Sequence, residues 1–142
     1  MASGLPLPEN VRGILADCGY TSPHAIWEHV ATDNLHLSYS EARRKTIDAI
    51  CEQRLNGESA NYSCEDALKE CKVPVLFVHG SDDRFVPVEM TYQNYKACAS
   101  EKRLLIVPGA GHGESYYLEP DNYEQAVLQF WKAFDRGGEV KS

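Results

Sequence analysis

Residues 73–113 decide the fold and read VPVLFVHGSDDRFVPVEMTYQNYKACASEKRLLIVPGAGHG. Residues 73–78 and 104–107 are apolar, β-branched runs bounded by turn residues, as is typical of strands in a parallel sheet covered on both faces. Between them, Pro87 favours the first turn of a helix that runs through about Cys98. This stretch therefore predicts the order strand, helix, strand.

The flanking sequence extends the same pattern in both directions. Residues 11–17 form a third apolar run that ends at turn residues. After residue 113, Asp121-x-x-Glu124 resembles a capping box and predicts a last helix. Its apolar face would consist of Val127, Leu128, Trp131 and Phe134. We expect an α/β fold with about three parallel strands and flanking helices.

Residues 22–72 are longer than a simple crossover between two parallel strands requires. Ser22-Pro23 predicts a helix that runs to about Val30. Ser38-x-x-Glu41 is a capping box and predicts a second helix, and Ser63-x-x-Asp66 predicts the start of a short third one. We therefore interpret residues 22–72 as a helical cap insertion, and residues 73–136 as the strand-helix-strand-helix part of a single domain over 1–142.

Composition excludes several classes of partner and site. A net charge of −7 argues against nucleic acid or an anionic membrane as the main partner, and no apolar run approaches the length of a membrane span. Five scattered cysteines and the absence of a signal peptide predict a reducing, cytoplasmic location. Cys64, Cys71 and His79 are too widely spaced for a zinc motif, so we expect neither a metal nor a cofactor.

Acidic side chains follow the first two predicted strands, and a histidine follows the third. The carboxyl ends of parallel strands meet at one edge of a sheet, where functional groups gather. Asp83 and His112 are the main candidates for a carboxylate–imidazole pair, while Asp82 and Asp17 remain alternatives for the acid. A carboxylate orients a histidine that acts as the base for a hydroxyl nucleophile, and the order acid then histidine is that of α/β-hydrolases.

Two motifs carry a specific resemblance. Gly80-Ser-Asp-Asp83-Arg-Phe-Val86-Pro87 resembles the G-x-x-D-x-x-V-P element of α/β-hydrolases, and Gly109-Ala-Gly-His112-Gly113 resembles their histidine loop. The chain is similar to the C-terminal part of a bacterial serine α/β-hydrolase of the prolyl-oligopeptidase-like and serine-aminopeptidase-like branch. This resemblance implies that Asp83 is the catalytic acid and His112 the catalytic histidine.

The sequence departs from the family at the nucleophile. It has no G-x-S-x-G, and Ser115 lacks the second glycine and follows the histidine. We expect the nucleophile and the oxyanion-hole amides to lie upstream of Met1. Two hypotheses follow: a hydrolase of carboxylic esters or peptide amides that an N-terminal half completes, or an inactive fragment or subunit with a structural or binding role.

These hypotheses imply the binding partners of the chain. The expected partners are a small ester or short peptide substrate, and either a second copy of the chain or the N-terminal half.

We interpret His79 as structural and Trp27 and Trp131 as packing residues. Cys18 follows the first strand, where a reactive thiol could lie. Without a base evident nearby in the sequence, we interpret it as buried apolar filler.

Overall fold

The computed structural model describes residues 7–54 and 62–134 and contains a three-stranded parallel sheet. The strands are β1 (Ile14–Asp17), β2 (Val75–Gly80) and β3 (Lys102–Val107), in the order β1-β2-β3. Asp17 pairs with Val78, and Gly80 pairs with Val107. The loops that follow all three strands therefore leave the same edge of the sheet, and the predicted α/β fold is confirmed.

Helices occupy every connection between the strands. They are α1 (Pro23–His29), continued by a π-helical turn (Val30–Asn34), α2 (Glu41–Arg54), α3 (Cys64–Lys69), α4 (Val88–Ala97), α5 (Ser115–Leu118) and α6 (Pro120–Phe134). The three helices predicted between the first two strands are present, although residues 55–61 of that interval lie outside the described residues. The sequence did not predict α5. Residues 135–136, assigned to the last helix, also lie outside the described part.

Serine hydroxyls cap three of these helices. Ser22 Oγ accepts from the backbone N–H of Ala25, and Ser63 Oγ accepts from that of Asp66, each at 3.0 Å, as predicted. The predicted box at Ser38 is wrong. Because α2 begins at Glu41, Ser40 precedes its first residue, and Ser40 Oγ accepts from Arg43 N–H at 3.1 Å.

The last helix also begins at a different residue than predicted. It starts at Pro120, so Asp121 lies in its first turn rather than at the cap. Proline is favoured there because the first helical N–H has no partner within the helix. Phe130 is the buried residue of this helix, whereas Leu128, which the sequence placed on the apolar face, is 56% exposed.

The hydrophobic core lies on both faces of β2. Cluster one contains Leu68, Cys71, Val75, Phe77 and Cys98, and cluster two contains Leu76, Val78 and Phe130 with Val127, Trp131 and Phe134 packed against them. All five cysteines are buried and free, as expected for apolar filler. Core packing thus fixes β2 at the centre of the fold.

The prediction that all three strands are covered on both faces is wrong for the outer strands. Every residue of β2 is buried, but Leu15 of β1 is 42% exposed and Leu104 of β3 is 36% exposed. An outer strand has a neighbour on one side only, so its apolar residues receive less cover. Among the described residues, no helix has the length and apolar character needed to cross a membrane.

Candidate active site

Asp83 lies in the loop after β2 with its carboxylate fixed by the backbone. Its Oδ1 accepts hydrogen bonds from the N–H groups of Phe85 at 2.9 Å and Val86 at 2.8 Å. Its other oxygen, Oδ2, lies 2.8 Å from Nδ1 of His112. The two backbone bonds leave Oδ2 free to receive the imidazole, so the local loop geometry orients the acid.

His112 lies in the glycine-rich loop after β3. A carboxylate can only accept, so Nδ1 of His112 donates its proton to Asp83, and the unprotonated nitrogen is Nε2. Nε2 has no hydrogen bond to any residue in the described ranges. The ring forms a T-shaped contact with Phe85, with ring centroids 5.0 Å apart, and the side chain is 44% exposed. The imidazole is therefore held in one orientation with its basic nitrogen open.

The charge state of Asp83 suits this role. Burial works to raise the pKa of this carboxyl. The hydrogen bonds from Val86 N–H, His112 and Phe85 N–H, together with the positive charge that His112 can carry, outweigh burial and hold the pKa below its ordinary value. Asp83 therefore stays a carboxylate at neutral pH, which is the form that stabilises an imidazolium.

Close backbone contact holds the two loops together. A Cβ on Gly80 would lie 2.2 Å from the carbonyl oxygen of Ala110, so any side chain there would overlap the histidine loop. Asp82 N–H donates to that same carbonyl at 3.0 Å, and Gly109 N–H donates to Ser81 Oγ at 2.8 Å. The glycine of the G-x-x-D element is thus needed to bring Asp83 and His112 within hydrogen-bond reach.

The structure distinguishes among the three acids that the sequence offered as partners of His112. Asp82 is exposed, and its carboxylate accepts from Ser81 Oγ. Asp17 accepts from the thiol of Cys18 at 3.2 Å and from the hydroxyl of Tyr123 at 3.0 Å. Of these acids, Asp83 is the one hydrogen-bonded to His112.

His79 forms a buried support beneath the acid, as expected of a structural histidine. Its Nε2 donates to the carbonyl of Val86 at 2.8 Å and lies 3.2 Å from Asp83 Oδ2, while Nδ1 bonds Thr91 Oγ1 at 2.6 Å. The side chain is fully buried. His79 therefore ties α4 to the turn that carries Asp83.

A cavity of about 630 Å³ opens beside His112. Its lining is mainly apolar and comes from Cys18, Tyr20, Pro23, Ile26, Trp27, Cys51, Phe85, Val86 and Gly113, with the polar residues Asp17, Arg54 and His112. Helices α1 and α2 thus supply one wall and the acid loop supplies another. Trp27, which the sequence assigned to packing, is 50% exposed and faces this cavity.

Cys18 belongs to this site, which the sequence did not reveal. It is buried as expected, but Asp83, His112 and the Cys18 sulfur have potential ligand atoms all within 4.8 Å of one another. Burial raises the pKa of the Cys18 thiol to about 12, and the neighbouring Asp17 carboxylate adds to this effect. The thiol is therefore protonated and a poor nucleophile by itself.

Two of the proteins with sequence similarity to the chain are named as hydrolases. It is 30% identical over 90 residues to 2-hydroxy-6-oxo-6-(2'-aminophenyl)hexa-2,4-dienoic acid hydrolase of Metapseudomonas resinovorans, covering 63% of this chain and 30% of that protein. It is 40% identical over 48 residues to the bifunctional esterase/perhydrolase of Acinetobacter calcoaceticus, covering 34% of this chain and 17% of the relative. No protein-family model matches the chain.

Solved structures show the same fold at lower identity. The acylaminoacyl peptidase of Pyrococcus horikoshii superimposes with a TM-score of 0.62 at 16% identity, covering 95% of this chain and 22% of the peptidase. The chain thus spans less than a third of these proteins. Similar structures also include esterases and a carbazole-degradation serine hydrolase. This chain has the fold of part of an α/β-hydrolase, and the relatives and solved structures named above are hydrolases.

Proposed function

We propose that this chain supplies the acid and the histidine of a Ser-His-Asp hydrolase that cleaves carboxylic ester or amide bonds. The observation that carries the proposal is the 2.8 Å hydrogen bond between Asp83 Oδ2 and His112 Nδ1, with Nε2 unengaged beside an apolar cavity. The serine would come from a part of the protein outside this sequence.

The roles of the two residues follow from their protonation. Nε2 of His112 takes the proton of the serine hydroxyl as its oxygen attacks the substrate carbonyl, and Asp83 stabilises the resulting imidazolium. The imidazolium then gives the proton to the leaving alkoxide or amine, which departs and leaves an acyl-enzyme. A water molecule repeats the sequence, and the carboxylic acid is released.

The cavity supports an apolar substrate group. Pro23, Ile26 and Trp27 belong to the segment predicted as a cap at 22–72, and they line this cavity. His29 of α1 also contacts the acid loop, with Nε2 3.3 Å from the carbonyl oxygen of Arg84. This wall would hold the acyl or leaving group of a small ester or a short peptide.

Two measurements test the proposal. The coding sequence upstream of Met1 should contain an in-frame G-x-S-x-G; a long upstream frame without one contradicts the shared-triad model. A fluorophosphonate probe should label that serine in the complete protein and leave the 142-residue chain unmodified. Stoichiometric labelling of a serine within these 142 residues would show that the nucleophile has been misplaced.

A second candidate function, a subunit that binds another chain, rests on the outer strands. β1 and β3 are the outer strands of the sheet formed by the described residues, and their residues Leu15 and Leu104 are exposed. Unpaired strand edges with apolar residues favour association, either with an N-terminal half or with a second copy. Sedimentation over a range of concentrations tests this, since a monomer at every concentration excludes self-association.

A further inference from the structure

The Cys18 thiol, the His112 imidazole and the Asp83 carboxylate form a mixed sulfur, nitrogen and oxygen cluster at the wall of the cavity. One potential ligand atom from each lies within 4.8 Å of the other two. These three residues come from three different loops, at the carboxyl ends of β1, β2 and β3. The cluster is therefore a product of the sheet topology rather than of one local turn.

The position of Cys18 is tightly determined. Its backbone has φ +53°, a left-handed conformation that non-glycine residues seldom adopt. Its N–H donates to Val78 O at 3.0 Å, and its sulfur accepts from Gly113 N–H at 3.4 Å. These contacts hold the thiol against the histidine loop despite the unfavourable backbone.

We propose that Cys18, Asp83 and His112 bind one zinc-type divalent cation, with the fourth coordination position open to the cavity. Thiolate, imidazole and carboxylate are the ligands that zinc takes in proteins, and three protein ligands plus an open position form a common arrangement. Bonds of about 2.0–2.3 Å place tetrahedral ligand atoms roughly 3.3–3.8 Å apart, so small inward movements suffice. Of the three side chains, the ring of His112 is the most exposed, at 44%.

Binding exchanges a proton for the metal. The S–H bond of Cys18 breaks as the metal–sulfur bond forms, and no redox step is involved. The first proton acceptor is Asp17, whose Oδ1 already receives the thiol hydrogen at 3.2 Å, and the proton passes from there to solvent. An ion held by Nδ1 of His112 and by Asp83 would also replace the hydrogen bond between them. The Nδ1 proton would pass to solvent while the exposed Nε2 takes one up, so the imidazole stays neutral. The bound ion would therefore inhibit the chemistry assigned to that pair.

Cobalt(II) titration of the intact 142-residue chain tests this inference directly. A thiolate–cobalt charge-transfer band should appear and saturate at one equivalent, both in the wild type and in Cys98→Ala, which removes a buried cysteine outside the cluster. Cys18→Ser should abolish the band, and His112→Ala should weaken binding by about 100-fold or more. No band in the wild type, or a full band in Cys18→Ser, overturns the site.

A second measurement needs no variant. Zinc should slow iodoacetamide alkylation of Cys18 at least tenfold in the native chain without changing that of Cys51, with both followed by peptide mass mapping. Equal protection of the two cysteines, or no protection of Cys18, contradicts the inference. No substrate is used in either experiment, so a negative result leaves the proposed hydrolase function standing, and the reverse also holds.

Discussion

Two histidine–aspartate pairs in this molecule share nearly the same hydrogen bond but differ in their surroundings. His112 Nδ1 lies 2.8 Å from Asp83, and His24 Nδ1 lies 2.6 Å from Asp48. The side chain of Asp83 is fully buried and accepts two hydrogen bonds from backbone N–H groups. The side chain of Asp48 is 18% exposed, and its carboxylate lies 3.5 Å from the guanidinium of Arg44. The first pair joins two loops beside the cavity; the second joins two helices.

This difference shows why a short His–Asp distance does not by itself indicate a catalytic pair. His24 and Asp48 connect α1 to α2, and each is part of a helix surface. Asp83 instead has one oxygen fixed by the backbone and one aimed at a ring that borders the cavity. We infer that the support around the acid, together with access to the free ring nitrogen, distinguishes the candidate active pair.

The largest difference between the pairs should appear in turnover. In a complete enzyme, His112→Ala should lower kcat by about 10³–10⁴-fold because the general base and acid are lost. His24→Ala should change kcat less than about threefold, since this ring contributes to helix packing. Ester hydrolysis by the two variants measures the contrast. Equal losses of kcat in both would contradict a catalytic role for His112 that His24 does not share.

A close backbone approach between two loops supports the Asp83–His112 pair. Gly80→Ala should destabilise the chain by about 3 kcal/mol, because the new Cβ would meet the Ala110 carbonyl oxygen at 2.2 Å. Gly19→Ala is the matched control, since its nearest atom, Asn94 Nδ2, lies 4.0 Å away. Urea unfolding measures both, and equal stability of the two variants would show that the loops can separate at little cost.

Acid unfolding tests the ionised state of Asp83. The pKa of Asp83 is lower in the folded chain than its ordinary value of 3.8, so the ionised carboxylate stabilises the fold. This stabilisation is complete above pH 3.8. It is lost as the pH falls from 3.8 through the lower pKa of the folded chain. The wild type should therefore lose more stability over this acidic window than Asp83→Asn, which cannot titrate. Parallel pH profiles of the unfolding free energy would show that the carboxylate is not stabilised by the fold.

The smallest effect on stability is expected at the His24–Asp48 pair. Asp48→Asn should cost at most about 1 kcal/mol, because partly exposed ion pairs contribute little in high dielectric surroundings, and salt should reduce the difference further. Thermal unfolding at low and high ionic strength measures it. A loss of several kcal/mol that salt leaves unchanged would place this pair in the same class as Asp83 and His112.

Local sequence signals predicted the elements that depend on near neighbours. The apolar runs became β2 and β3, and the hydroxyls of Ser22 and Ser63 cap their helices as expected. Ser38 and Asp121 failed as caps because competing residues nearby, Ser40 and Pro120, suit the helix starts better. Such errors of one or two residues arise because several residues at a helix start satisfy similar rules.

By itself the sequence determined an α/β chain with an acid after one strand and a histidine after the next, since periodicity and turn residues are local properties. Only the tertiary structure decided that Asp83, rather than Asp17 or Asp82, bonds His112, and that Cys18 lies beside them. The reason is physical: parallel pairing and the close contact of Gly80 with Ala110 bring distant loops together, and no local pattern encodes the distances between them.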